Sequence, residues 1–173
     1  MRTKTSWKKI IRYRQKWDWC GPAVVQMALA AGGIRKSQKA IARDIFQKWI
    51  GTTQQAILGY ISLFYERYDF KEKAEFSDIT YHINLGHVVI LNWWDDIDPH
   101  DEEEGHYTLA LSYDKKRGKL TMADPMRERG IWQINKKDFT RRWYDSLDVK
   151  GKKWIEGWML WLDPTSRITE AKN

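Results

Sequence analysis

The spacing of hydrophobic residues changes about half-way along the chain. Up to about residue 86, apolar residues recur mostly at intervals of three and four, which indicates helices. Beyond it they form short runs bounded by polar or glycine-containing turns, which indicate strands. Helices are predicted at about 20–31, with the helix body at 24–31, and at 37–49, 54–65, 77–86 and 135–143. Strands are predicted at 87–94, 105–113, 119–124, 131–134 and 158–162, and a short strand or an extended link at 70–76. The pattern predicts an α+β fold, with a helical part at about 14–86 packed on an antiparallel sheet at about 87–162.

The length and hydrophobic content suit one domain. With 173 residues, 42% of them hydrophobic, the chain can bury its own core, so we expect a single domain over 1–173 with a flexible tail at about 164–173. No run reaches the roughly 18 apolar residues that cross a bilayer, so membrane insertion is not expected. The single cysteine cannot form an internal disulfide, and the basic N-terminus lacks the apolar stretch of a signal peptide. Both features favour a reducing, cytoplasmic setting.

The charge is unevenly distributed. The net charge is +7, yet seven acidic residues fall between Asp95 and Glu104, so the rest of the chain is strongly basic. Such a surface could attract acidic peptides or anionic lipid. Because no basic run accompanies a recognition motif, nucleic acid is not expected as a partner. Nothing in the sequence predicts an oligomeric state.

Cys20, the only cysteine, stands where the best-marked helix begins. Gly21 gives the backbone freedom in a tight turn, and Pro22 suits a first helical turn, where its missing N–H costs nothing. The helix body at 24–31 is apolar on nearly every side and ends at Gly32, which fits a central, buried helix. The positive end of a helix favours a thiolate, so Cys20 is predicted to be a catalytic nucleophile. The alternative is an inert, buried cysteine.

A cysteine nucleophile needs an imidazole as its base, and four histidines are available. His82 lies in a polar helix and His100 in the acidic segment, so both are expected at the surface. His87 begins a strand without an evident carboxylate or amide partner. His106 is favoured, because it follows Gly105 and shares one strand face with the small residues Thr108, Ala110 and Ser112. Small residues would let the alanine-rich helix pack closely on that face.

The third group is predicted at the end of the next strand. The strands at 107–113 and 119–123 flank a polar turn that contains Gly118, so they should form a hairpin. A turn with an odd number of residues would put Asp124 on the face of His106, directly opposite or one diagonal step away, and an even number would put it on the other face. Pro125 ends the strand. The alternative is that Asp124 merely begins a turn.

At these residues the chain resembles the papain-like cysteine peptidases, most closely the branch of the bacteriocin-processing, double-glycine leader peptidases and their stand-alone relatives. The similar segments span about residues 14–143 and are, in order, Gln15, Trp19-Cys20-Gly21-Pro22-Ala23, Met27, Gly86-His87-Val88-Val89-Ile90, Gly105-His106-Tyr107, Tyr113-Asp114 and Asp124-Pro125. The resemblance implies a papain-like fold with Cys20 as nucleophile, His106 as general base and then acid, and Asp124 as the group that orients the imidazole. No cofactor and no metal are expected.

The resemblance also implies a role for Gln15, whose side chain would donate a hydrogen bond to the oxyanion together with the backbone N–H of Cys20. In the family this glutamine usually precedes the cysteine by about six residues. Here Gln15 precedes Cys20 by five, and Arg14 stands at the usual position. Either the loop at 16–19 is tightened by one residue, or Gln15 is displaced and is an ordinary surface glutamine.

The expected activity is hydrolysis of amide bonds in a peptide or protein substrate through a thioester acyl-enzyme. By resemblance, the cleft should favour small residues such as Gly just before the scissile bond. Most of the eleven tryptophans are expected in the core, and those nearest to the proposed centre are Trp17, Trp19, Trp93 and Trp94. An isopeptidase or acyl transferase with the same triad is the first alternative. It differs in whether an added amine captures the acyl group in preference to water.

The second alternative is a non-catalytic binding protein on the same fold. Its metal would lie at the acidic residues Asp95, Asp96, Asp98, Asp101, Glu102, Glu103 and Glu104. This segment lacks the glycine and the spacing of a calcium loop. A solvated lid in front of His106 is therefore the favoured interpretation of these acids.

Overall fold

Five helices and nine strands are found in the part of the chain that the computed structural model describes, which is 2–4, 11–95, 105–146 and 153–168. The helices are α1 Cys20–Ala31, α2 Gln38–Ile45, α3 Gln54–Ser62, α4 Phe76–Asn84 and α5 Lys136–Arg141. The strands are β1 Arg2–Lys4, β2 Tyr68–Lys71, β3 Val88–Trp94, β4 Gly105–Asp114, β5 Lys119–Ala123, β6 Ile131–Asn135, β7 Tyr144–Ser146, β8 Trp154–Glu156 and β9 Met159–Leu162. This α+β architecture confirms the predicted fold class.

The main sheet is antiparallel and has the order β2-β9-β3-β4-β5-β6. Strand β1 pairs with the far end of β4, and β7 and β8 form a separate two-stranded sheet. The chain thus leaves β3 and β4 at the centre of the sheet. Central strands can be apolar on both faces, and six of the seven residues of β3 are buried.

The helices cover both faces of this sheet. On one face, α1 packs with α2 and α3 on a core that includes Tyr107, Leu109 and Leu111 of β4. On the other face, Ala110 of β4 packs in a core with α4 and with Phe139 of α5. The prediction that α1 lies on the face of Thr108, Ala110 and Ser112 is therefore wrong. The small side chains instead leave room for the large aromatic residues of the second core, among them Phe76 and Trp93.

The turn of the β4–β5 hairpin also differs from the prediction. Asp114 pairs with Lys119, so the turn contains the even number of four residues. An even turn in a regular hairpin would put Asp124 on the face opposite to His106. The expectation of an odd turn is therefore wrong, although Asp124 does share a face with His106.

A β-bulge in β4 resolves this difference. Ser112 pairs with Thr121, but Ala110 pairs with Met122, so Leu111 is an additional residue on one side of the ladder. One extra residue shifts the register by one position. The bulge therefore compensates for the even turn and returns the end of β5 to the face of the histidine, one diagonal step away from it.

Helix α2 is shorter than predicted. Ser37 caps it, because its hydroxyl accepts a hydrogen bond from the N–H of Ala40 at 3.2 Å, but it ends at Ile45 and not at Trp49. Residues 47–51 form a tight turn closed by an isolated bridge between Gln47 and Gly51. Trp49 lies at the tip of this turn with a φ of 71° and is 77% exposed, so it does not face the core.

The boundaries of other elements also differ from their predicted positions. Of the segment 70–76, predicted as a short strand or an extended link, only 70–71 belongs to a strand, because β2 ends at Lys71 and Phe76 already belongs to α4. Helix α4 begins one residue earlier than predicted, at Phe76, and is capped by Glu75 in a capping box with Asp78. Strands β1, β7 and β8 were not predicted at all. Each has only three residues, which is too short for a periodic pattern.

The C-terminal segment is hydrogen-bonded as far as it is described. Within 164–168, Ser166 is buried and its carbonyl accepts a hydrogen bond from the N–H of Glu66 at 2.9 Å. The rest of the predicted tail, 169–173, lies outside the described residues, as do 96–104 of the acidic segment. Across the residues described, no helix has both the length and the apolar character needed to span a membrane.

The start of α1 depends on a close contact that only glycine permits. A Cβ atom at Gly21 would lie 2.6 Å from Oγ1 and 2.7 Å from Cγ2 of Thr52. We expect Gly21→Ala to lower the free energy of unfolding by about 1–3 kcal/mol through overpacking, as measured by urea denaturation. In a protein that already carries Thr52→Gly, the same change should lower the free energy of unfolding much less. Gly59→Ala is the control, since Gly59 lies in α3 with open space around it. Equal costs of Gly21→Ala in both backgrounds would contradict the contact.

Candidate active site

The site is centred on a buried pair of side chains, His106 at the start of β4 and Asp124 directly after β5. Nε2 of His106 lies 2.9 Å from Oδ1 of Asp124, and the two side chains are 5% and 0% exposed. A buried carboxylate is costly unless it is paired, so the imidazole and the carboxylate stabilise each other. The pair holds the ring in one orientation and leaves Nδ1 for a second partner.

The thiol of Cys20 is a second partner of the imidazole. The ring of His106 forms a side-chain hydrogen bond with Cys20, which is half-buried at the first residue of α1. Burial lowers the pKa of His106, but the hydrogen bonds with Asp124 and Cys20 outweigh it and raise that pKa to about 10. The imidazole is therefore cationic at neutral pH. Cys20 is the first residue of α1, whose first turn has no side-chain cap, so this residue lies at the positive end of the helix.

Asp124 is held by several donors besides the imidazole. Its Oδ1 accepts hydrogen bonds from the N–H of Met126 at 2.8 Å and of Arg127 at 3.3 Å, and its Oδ2 accepts one from Nε1 of Trp132 at 3.1 Å. Burial raises the pKa of Asp124, but the hydrogen bonds, above all the one with His106, bring it below its ordinary value. Asp124 therefore begins a turn, as the alternative interpretation had it, and also holds the imidazole.

Arg127 lies between two buried carboxylates. Its Nη2 donates to Oδ1 and Oδ2 of Asp95 at 3.1 and 3.3 Å, and its Nε forms an ion pair with Oδ2 of Asp124 at 3.2 Å. The guanidinium also stacks on Trp132, with Cζ 3.6 Å from the ring centre. Asp95, His106 and Asp124 bring potential ligand atoms within 4.8 Å of one another, which is close enough for a metal. The guanidinium already supplies a cation to both carboxylates, and the other acids of the metal alternative lie outside the described residues.

The backbone around Gln15 is fixed on both sides. The N–H of Gln15 donates to the carbonyl of Pro125 at 2.9 Å, which ties this segment to the turn that follows Asp124. The buried side chain of Gln38 accepts from the N–H of Lys16 and donates to the carbonyl of Arg14, both at 3.0 Å. Gln15 is therefore held beside the turn that carries the carboxylate.

The connection from Gln15 to Cys20 is a tight turn. The N–H of Trp19 donates to the carbonyl of Lys16 at 3.1 Å, and Trp17 has a φ of 51°, in the left-handed region. Nε2 of Gln15 donates to the carbonyl of Trp17 at 3.0 Å. The connection at 16–19 is therefore compact.

The remaining histidines do not reach this site as far as they are described. Nδ1 of His82 and Nδ1 of His87 lie 2.9 Å apart, and both rings stack on Trp161. His82 is therefore half-buried, so its prediction as a solvated surface residue is wrong. Burial lowers the pKa of His82 to about 4 and also lowers that of His87. His100 lies outside the described residues.

Sequence reasoning missed three residues that support the site, namely Arg127, Trp132 and Gln38. None carries a recognisable motif, because their roles depend on how the turn after β5 folds and, for Arg127 and Gln38, on partners more than twenty residues away. The prediction for the tryptophans was partly useful. Trp93 is fully buried, with its ring centre 6.5 Å from that of His106, whereas Trp17 is 85% exposed.

Comparisons with known proteins agree with this geometry. The sequence profile of the Peptidase_C39 like family matches residues 7–149. The chain belongs to this family. The match confirms the resemblance to the bacteriocin-processing branch of papain-like enzymes, and the protein is a cysteine peptidase.

Solved structures of other proteins share this fold. The peptidase domain of Streptococcus ComA, a bi-functional ABC transporter involved in quorum sensing, has a TM-score of 0.65 and 15% identity, covering 89% of this chain and 98% of that one. A C39-like peptidase from Bacillus anthracis has a TM-score of 0.67 and 12% identity, covering 98% and 99%. A double glycine motif protease from an AMS/PCAT transporter, in complex with a leader peptide, has a TM-score of 0.58 and 13% identity, covering 94% and 98%. No curated protein is a significant match. These similarities confirm the papain-like fold of the peptidase.

The buried pair gives the peptidase a pH-dependent stability. The pKa of His106 is raised, so its contribution to the free energy of unfolding is complete below pH 6.5 and is lost as the pH rises through about 10. The pKa of Asp124 is lowered, so its contribution to the free energy of unfolding is present above pH 3.8 and is lost as the pH falls through the lowered pKa. We expect Asp124→Asn to lower the free energy of unfolding by about 3 kcal/mol at pH 7, and by less at either extreme.

Urea denaturation at several pH values measures this difference. Asp138→Asn is the control, since Asp138 is a partly exposed carboxylate on α5 with an exposed partner, Arg141. A loss of stability in Asp124→Asn that stays constant from pH 4 to above about 10 would contradict the ion pair.

Proposed function

We propose that the protein hydrolyses peptide bonds through a triad of Cys20, His106 and Asp124. The thiolate of Cys20 attacks the carbonyl carbon of the scissile bond and forms a tetrahedral intermediate. His106, as the imidazolium, donates a proton to the leaving amine, and a thioester acyl-enzyme remains. His106 then takes a proton from water, the hydroxide attacks the thioester carbonyl, the C–S bond breaks to return the thiolate of Cys20, and the carboxylic acid product leaves.

One observation carries the proposal, which is that His106 binds Asp124 through Nε2 and also interacts with Cys20. A nucleophile, a base and a group that orients the base are the three parts that covalent catalysis by a thiol needs. They come from the start of α1, the start of β4 and the end of β5. The position of Cys20, half-buried at an uncapped helix end, keeps the sulfur within reach of a substrate.

Gln15 is the proposed side-chain donor of the oxyanion hole, together with the backbone N–H of Cys20. One N–H of its amide is bonded to the carbonyl of Trp17, and the second N–H is left for an oxyanion. The backbone on either side is held by Gln38 and by Pro125, which supports a fixed donor. Preorganised donors of this kind stabilise the charge that develops on the substrate oxygen.

The substrate is proposed to be a peptide or protein with a small residue, such as Gly, just before the scissile bond. The support for this specificity is the fold shared with a double glycine motif protease that was solved with a leader peptide. We further propose that 1–173 is one peptidase domain and that it acts in the cytoplasm, where its single thiol would stay reduced.

A cleavage experiment tests the catalytic thiol. Peptides that differ only in Gly or Leu before one bond should be cut after Gly by the wild type. Cys20→Ala and His106→Ala should lose at least about a thousandfold in kcat/KM, since each removes one part of the triad. Iodoacetamide at pH 7 should label Cys20 faster in the wild type than in His106→Ala, as measured by mass spectrometry. Full cleavage by Cys20→Ala, or equal labelling of both proteins, would refute the proposal.

A second experiment tests the oxyanion hole. Gln15→Ala should lower kcat by about a hundredfold or more with little change in labelling of Cys20, because the donor acts only on the tetrahedral intermediate. Gln133→Ala provides the control, since Gln133 is an exposed residue of β6 that bonds only to Thr121 among the described residues. If Gln15→Ala turns over as fast as this control, Gln15 is not the donor.

A further inference from the structure

A hydrogen-bonded series of buried polar side chains leads to the active site from the side opposite to Asp124. Nε2 of Gln54, at the start of α3, donates to Oδ1 of Asn92 at 2.8 Å. Nδ2 of Asn92, in β3, donates to Oδ2 of Asp145 in β7 at 2.7 Å. All three residues are buried. Buried polar groups need partners, and these three satisfy one another in a fixed order from an amide to a carboxylate.

This hydrogen-bonded series of side chains ends next to the backbone of Gly105 and His106. Nδ2 of Asn92 also lies 3.4 Å from the carbonyl oxygen of His106, in a second and longer hydrogen bond. A Cβ atom at Gly105 would lie 2.5 Å from Oδ2 and 2.7 Å from Cγ of Asp145. Gly105 is therefore needed to admit the carboxylate. The carboxylate itself lies next to the residue that precedes the catalytic histidine.

The faces of the sheet put Asp145 and Asp124 on different sides of the histidine. Asn92 pairs with Tyr107, whose side chain points to the core of α1, while the neighbouring side chain of His106 points to the other face with Asp124. Among the described residues, His106 and Tyr107 of β4 interact electrostatically with Asp145, and Cys20 of α1 interacts with both of them. From β3 and α3, the uncharged amides described above face it.

We propose that Asp145 is a second carboxylate of the active site, a positioning residue that stabilises the imidazolium of His106 and, through Asn92, holds the backbone at His106. This inference rests on the proposed function, in which His106 acts as an imidazolium beside a thiolate. A cation with carboxylates on two sides remains protonated to higher pH. The ion pair with Cys20 would then survive over a wider range of pH.

Asp145 also adds an ionisation to the peptidase. Burial raises the pKa of its carboxyl group to about 6, against the hydrogen bonds from Asn92 and Ser146 and the charge of His106, which lower it. The carboxylate is therefore mostly ionised at pH 7 and becomes protonated just below it. Activity should show an acid limb with an apparent pKa near this value, besides any limb from the triad.

Asp145→Asn tests the proposal, because it keeps the shape of the side chain and removes its charge. The pKa of His106, followed by NMR of protein with labelled histidine, should fall by about half a unit or more. The basic limb of kcat/KM against pH should shift by the same amount, which is about threefold in the proton affinity of the ring. The acid limb near pH 6 should disappear. Asp138→Asn, the partly exposed control on α5, should change none of these values.

A second variant covers the case in which Asp145→Asn fails to fold. Gln54→Met removes the donor that orients Asn92 but leaves the carboxylate in place, so the acid limb should move to higher pH as Asp145 loses part of its hydrogen bonding. An unchanged pKa of His106 in Asp145→Asn, with or without a change in melting temperature, would overturn the proposal and leave a merely structural residue. If Asp145→Asn does not fold and Gln54→Met does, an unchanged acid limb in Gln54→Met would also overturn the proposal.

The two hypotheses fail in different ways. If Cys20→Ala retains full cleavage activity, the proposed triad is wrong, and the NMR titration still measures whether Asp145 acts on His106. If Cys20→Ala is inactive and the pKa of His106 is the same in Asp145→Asn as in the wild type, only the proposed role of Asp145 is wrong.

Discussion

The structure of the site depends on keeping one carboxylate ionised without contact with water. Asp124 is completely buried, and a buried charge is costly unless opposite charges and donors surround it. The imidazole of His106, two backbone N–H groups, the indole of Trp132 and the guanidinium of Arg127 provide that environment. Because these groups come from β4, β6 and the turn after β5, satisfying the charge fixes three parts of the chain relative to one another.

The positions of α1 and β4 also explain why Cys20 and His106 meet at one end of the central strands and not in their middle. Helix α1 packs on one face of β4, while His106 points to the other face, so the two could not meet in the middle of the strand. They meet because Cys20 is the first residue of its helix and His106 is the second residue of its strand. This position leaves the sulfur half-buried.

Much of the framework was predictable from the sequence, and the errors have physical causes. The apolar helix after Cys20 and the central strands have strong local patterns, and they appear within one or two residues of their predicted positions. The bulge at Leu111 has no local signature, because a bulge is defined by its partner strand. Trp49 has helical spacing but lies in an exposed turn, since the helix had already ended at Ile45. Periodicity describes which faces could be buried, and packing decides which of them are.

By itself the sequence determined the α+β fold, the helix end that carries Cys20, and the family, because these depend on local spacing and on residue types in a fixed order. Only the tertiary structure decided which face of β4 receives α1, how an even turn still brings Asp124 to His106, and that Arg127 and Asp145 lie beside the pair. The reason is that a charge inside a protein must be balanced by groups close in space, and no local pattern records which distant residues those are.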